Sequence, residues 1–167
     1  MRRIVFALAA LAGLAGVAGH GADATGQGGR INIPEGYRDW RLIAVAHEEG
    51  MLNDLRAILG NDVAIKAARD GAPAYPDGSV IARLAWSYEP LAESEKAFGH
   101  LQSFVGGPPK NGVQFMIKDT SKYAATGGWG FYQFDGGEPA SEAAPGACFA
   151  CHETVKGRDY VFNRYAP

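Results

Sequence analysis

The chain has 167 residues, 47% of them hydrophobic and 20% charged, enough for one globular domain and too few to expect two. Its formal charge of −2 provides no basic field of the kind that binds nucleic acid, so nucleic acid is excluded as an expected partner. Only two cysteines occur, Cys148 and Cys151, and three positions of separation rule out a long-loop disulfide framework.

Arg2 and Arg3 precede an apolar run over residues 4–18, followed by small and polar residues through Ala24. This pattern reads as a secretory signal peptide over residues 1–24, too short to span a bilayer, with cleavage before Thr25. The mature domain, 25–167, then keeps 14 basic and 17 acidic side chains and no membrane span. Export to an oxidising compartment follows, and a bacterial periplasm is the natural one.

Residues 25–33 are a Gly-rich leader, and Pro34 is placed to open a short helical turn reaching Trp40. Residues 41–47 predict a strand, with a helix continuing from Tyr37 as the competitor, and 54–59 predict a second strand ended by Gly60. Asn61 or Asp62 caps a helix over 63–69, closed by Gly71. Pro76-Asp77-Gly78 marks a turn into a strand over 79–88, with Val80, Ala82, Leu84 and Trp86 on one face and Ile81, Arg83 and Ala85 on the other. Residues 106–112 read as a loop, 113–117 and 128–134 as strands, and 135–146 as a Gly/Pro/Ala-rich connection. The fold class is α+β, a mostly antiparallel β-sheet with a few helices.

Cys148-Phe149-Ala150-Cys151-His152 is the attachment pattern of a c-type haem. Two thiols one helical turn apart can add to the two haem vinyl groups, and the adjacent His152 is then the iron's axial ligand. One covalently attached haem c near the C-terminus is the expected cofactor. A redox or structural disulfide is the first competitor, but the βαβ setting of thioredoxin-like motifs is missing around Cys148. Zinc is the second, and besides His152 it would need His47 or His100, with no second cysteine pair to help. Only 15 residues follow His152, unlike the small electron-transfer cytochromes, whose motif is N-terminal and whose methionine ligand lies beyond it. The four long helices of a bundle cytochrome are also absent from the pattern.

Pro34-x-x-Tyr37-x-x-Trp40, Gly60-Asn61, Pro76-Asp77-Gly78-Ser79-Val80, Lys118-Asp119, Gly127-Gly128-Trp129-Gly130-Phe131 and the haem motif followed by Asp159-Tyr160-Val161-Phe162 resemble the cytochrome P-460 and cytochrome c′-beta family. The resemblance covers nearly all of the mature chain. It implies a periplasmic, mostly antiparallel β fold, commonly a homodimer, whose five-coordinate haem is open on its distal side to a small gaseous or nitrogen-oxide ligand; a redox partner protein is a further candidate partner. Members either oxidise hydroxylamine or bind gases such as nitric oxide. In the P-460 enzymes a lysine shortly after the Asp-Gly-Ser/Thr-Val turn cross-links to the haem ring; here the matching position is Arg83, whose guanidinium does not lose its proton. The reading therefore leans to a nitric-oxide-type binding protein, with hydroxylamine oxidation as the alternative and a six-coordinate electron carrier as the third.

Arg83 and Arg56 are cofactor-binding candidates, Arg83 toward the distal pocket or a propionate and Arg56, by the resemblance, at the pocket edge. A solvated strand arginine is the competing reading for each. Trp86, Phe98, Phe104, Phe115, Trp129 and Phe131 are candidate pocket walls. Met51, Met116, His47 and His100 are the possible sixth ligands, although Met116 reads as core and both histidines as surface. Glu138 or Glu142 could supply a general base.

Overall fold

The computed structural model describes residues 31–140 and 144–166, so the predicted signal peptide, most of the leader and Glu142 lie outside the described residues. The compact unit that carries the fold begins at Ile33. Its centre is a six-stranded sheet in which every neighbour is antiparallel and every neighbour is next in the chain: β1 (Arg41–Glu48), β2 (Asp54–Gly60), β3 (Val80–Pro90), β4 (Phe104–Lys118), β5 (Trp129–Asp135) and β6 (Glu138–Pro139). With α1 (Asp62–Arg69), α2 (Glu93–Phe98) and α3 (Ala144–His152), the α+β class stands. Among the described residues no helix is long and apolar enough to cross a membrane.

Asn61 settles the choice of cap for α1. Its Oδ1 accepts from Ala64 N at 2.9 Å, the bond a first-turn amide otherwise lacks, and also from Val80 N at 3.1 Å, while Nδ2 donates to Gly78 O at 2.9 Å. One side chain thus joins the helix start to the start of β3. The short helical turn expected from Pro34 to Trp40 is present in shorter form, as a 3₁₀ turn over Tyr37–Asp39 that starts after Gly36 at φ +68° and ends at Trp40. The competing helix over 41–47 also fails, since β1 pairs with β2 from Arg41↔Gly60 to Glu48↔Asp54.

Residues 106–112, expected as a loop, are instead part of β4. The register with β3 slips twice, between Leu84 and Trp86 and between Trp86 and Tyr88, which accommodates Pro109 opposite Trp86. Asn111 and Gly112 then take left-handed conformations, φ +58° and +57°, before the regular ladder resumes at Val113. Part of the expected 135–146 connection likewise becomes β6 and the start of α3.

Both faces of β3 are covered. On one face Ile58, Ile81, Trp129 and Phe131 form a core with Ala64 and Ile65 of α1, and Cys148 and Phe149 of α3 pack against it. On the other, Phe115 lies edge-on to Tyr37 at 5.2 Å, Trp40 at 6.5 Å and Phe134 at 5.9 Å between ring centroids. The alternation read for residues 79–88 holds, but it separates two buried faces rather than a buried and a wet one.

Candidate functional site

The helix α3 puts Cys148 and Cys151 one turn apart and ends on His152. Both thiols are free; Cys151 is exposed and Cys148 half-buried against the core. Burial pushes the Cys148 thiol up, and the neighbouring Cys151 adds to this, while Arg83 pulls it down. Arg83 shares its strand face with Ile81, against whose cluster Cys148 packs, so the two lie on the same side of the sheet.

His152 is held at three points. Its Nδ1 makes a 2.6 Å hydrogen bond with Tyr160 O, and its ring packs 5.0 Å from Phe131 and 5.0 Å from Phe162. Because the partner is a carbonyl, Nδ1 is the donor, so the proton lies there and Nε2 carries the lone pair. Burial lowers the pKa of the ring, with the Tyr160 carbonyl opposing in part, so the imidazole is neutral at pH 7. A neutral imidazole with Nε2 uncommitted, two thiols at one-turn spacing and an exposed Phe162 beside the ring are the donors and apolar cover that a haem requires. The residues present fit that group. Among the described residues no three His, Cys, Asp or Glu side chains gather as a metal cluster, and the zinc alternative has no observation behind it.

Moving along this face away from Phe131, the register row Ala44, Ile58, Arg83, Gln114, Gln133 turns polar. Arg83 Nη2 donates to Asp54 Oδ2 at 2.7 Å and Nη1 to Gln114 Oε1 at 3.2 Å. Arg56 Nε donates to the other Asp54 oxygen at 2.5 Å, and its Nη1 reaches Glu48 Oε2 at 2.8 Å. Gln114 Nε2 passes the chain on to Gln133 Oε1 at 2.8 Å. Two cations and two carboxylates therefore balance around an Asp54 side chain of zero exposure. The structure corrects the solvated reading of Arg83 and Arg56: each side chain is only 15% exposed and both are tied to Asp54. Burial and the nearby Arg56 lower the Arg83 pKa, with Asp54 opposing. The group stays a cation at neutral pH.

The remaining candidates separate. Phe131 flanks His152, whereas Trp129 is core, Phe115 belongs to the opposite face, and Phe98 and Phe104 are exposed. Trp86 helps line a cleft of about 280 Å³ on that opposite face with Tyr37, Leu84 and Phe134. Met51 is fully exposed, His100 bonds to Gln102 at 3.1 Å, and His47 stacks edge-on to Tyr88 at 5.0 Å. Met116 packs at the edge of the core, as read. Glu138 is exposed on β6.

Sequence reasoning missed Asp54, Gln114 and Gln133, and it missed Lys118. The Lys118 side chain is 5% exposed, and its Nζ donates to Asp159 Oδ1 at 2.6 Å and lies 4.9 Å from the Trp129 ring centroid. Parity along β4 was the available signal for Gln114 and Lys118, since both alternate with buried Val113 and Phe115. It indicates a shared face without revealing the partners.

The sheet and the helix that ends in Cys148, Cys151 and His152 define a haem protein of the antiparallel β type. The Cytochrome P460 family model matches residues 34–163, and the chain belongs to that family. No curated protein matches it.

Proposed function

We propose that the protein is exported to a periplasm, carries one haem c bound through thioethers to Cys148 and Cys151, and uses His152 as the single protein ligand to iron. The open axial position takes nitric oxide or a similarly small ligand. Haem supplies an iron centre that binds such diatomics and exchanges an electron.

The observation that carries this reading over hydroxylamine oxidation is the setting of Arg83. A ring cross-link requires a neutral amine nucleophile; the side chain here is a guanidinium held by Asp54 at 2.7 Å and by Gln114 at 3.2 Å. What Arg83 can do is present its remaining N–H groups as fixed donors, to a propionate or to a bound ligand that gains negative charge. Arg56, through the same Asp54, keeps it from swinging into solvent. The exposed Met51 and the surface settings of His47 and His100 support an open sixth position.

Spectra of the oxidised and reduced protein test the reading. Ordinary c-haem bands, high-spin ferric iron, ready uptake of nitric oxide by the ferrous form and negligible hydroxylamine turnover are expected. A cross-linked haem peptide or vigorous hydroxylamine oxidation overturns it in favour of the enzyme; a low-spin spectrum abolished by Met51→Ala or His47→Ala overturns it in favour of the six-coordinate carrier. The homodimer implied by the resemblance is part of the proposal, supported by exposed Phe98, Leu101, Phe104 and Val105, and light scattering checks it.

A further inference from the structure

A continuous set of contacts leads from Lys118 to the His152 imidazole, and we propose that Lys118 and Asp159 are positioning residues for the iron ligand, fixing the Tyr160 carbonyl that sets its orientation and basicity. This rests on the reading of His152 as the ligand.

Asp159 is fastened at every polar point. Its Oδ1 accepts from Lys118 Nζ at 2.6 Å and its Oδ2 from Tyr75 N at 2.8 Å. Its carbonyl accepts from Trp129 Nε1 at 2.8 Å, and its own N–H donates to Lys156 O at 3.1 Å. Lys118 is anchored in turn by Gly127 O at 3.2 Å and by the Trp129 ring. This fastening holds two successive non-glycine residues in the left-handed region, Asp159 at φ +51° and Tyr160 at φ +64°. An L-residue disfavours that conformation, and two in a row persist only where the surroundings over-determine them.

The conformation has a direct result. After the 3₁₀ segment Glu153–Arg158, the double left-handed turn brings the Tyr160 carbonyl back to His152 Nδ1 at 2.6 Å. A short bond there makes the imidazole a stronger donor through Nε2, which favours ferric iron and stiffens the iron–histidine bond. A salt bridge buried to 5% and 9% exposure is a costly way to staple a turn, whereas it is suited to defining one carbonyl direction.

The test uses haem-loaded protein. In Asp159→Asn and Lys118→Met, intact mass is expected to show the haem retained, while the iron–histidine stretching frequency of the ferrous form falls and the reduction potential rises. Folded, loaded variants with both readings at wild-type values overturn the proposal and leave a purely structural salt bridge. Where neither variant folds, Trp129→Phe, which removes the N–H given to the Asp159 carbonyl together with part of the buried ring that faces Lys118, is judged by the same two readings. Wild-type protein with no covalent haem overturns the proposed function and this inference together, whereas unchanged readings in a loaded variant overturn the inference alone.

Discussion

Arg83 and Asp54, 29 residues apart in the chain, meet through a 2.7 Å bond at a carboxylate that has no solvent exposure. The strand pairing explains the meeting, because Arg83 stands opposite Ile58 on β2 and reaches along that strand to its first residue.

Removing the carboxylate leaves two guanidiniums crowded in a nearly dry site. Asp54→Ala is expected to destabilise the loaded protein by about 3–5 kcal/mol, the usual range for breaking a buried ion pair from one side. Asp54→Asn, which keeps an acceptor oxygen, should lose less. Urea denaturation of the two variants against wild type checks the order.

Arg83→Ala should leave haem attachment intact, since the proposed thioethers form on α3, and should change ligand affinity or potential. Nitric oxide titration and potentiometry of the loaded variant read this; loss of covalent haem would show that Arg83 acts on folding instead.

Gly127 sits at φ +67°, and a Cβ there would enter the ring of Tyr160. Gly127→Ala therefore forces Tyr160, and with it the His152 carbonyl partner, out of place. A lower melting temperature together with an altered ferrous spectrum is expected. A lower melting temperature with an unchanged spectrum would place the strain elsewhere.

Alkaline stability carries a sign that can be worked out. Burial, then the 2.6 Å hydrogen bond with Tyr123, raises the Tyr132 phenol from 10.0 to about 12. The folded state binds that proton more tightly than the unfolded state does, so the contribution is complete below pH 10 and is lost as pH rises toward about 12. Tyr132→Phe should flatten stability across that window, which denaturation at stepped pH measures, with tyrosinate absorbance following the titration.

The sequence was most legible where the determinants are local. Cys148, Cys151 and His152 stand out by spacing alone, and the start of α1 narrows to Asn61 or Asp62, a choice that the bonds of Asn61 to Ala64 N and Val80 N settle. The strand over 79–88 showed its two faces by alternation, but parity cannot tell that both are buried, nor which end of a face is polar. Alternation alone therefore leaves Arg83 between pocket and solvent, and only the assembled sheet sets Asp54 beside it. Gly106-Gly107-Pro108-Pro109 carries every local signal of a loop, and only the slipped register with β3 turns it into strand. Lys118 and Asp159 lie in segments that resemble a family pattern, yet their pairing spans 41 residues and exists only once the sheet is assembled.

The uninterrupted meander of the sheet has a kinetic consequence. Each strand pairs with its immediate successor, so the sheet can zip up through short loop closures, whereas the last segment closes much longer ones: Asp159 reaches back to Tyr75, and Ala166 N reaches Ile43 O at 2.9 Å. The C-terminal tail is then the last part to dock. Cys148 and Cys151 then stay reachable while the sheet is already formed, and His152, the proposed iron ligand, gains its Tyr160 partner only when the tail closes. Pulsed hydrogen exchange during refolding should show β2–β4 amides protected before those of Tyr160 and Val161, so that maturation and folding share one final step.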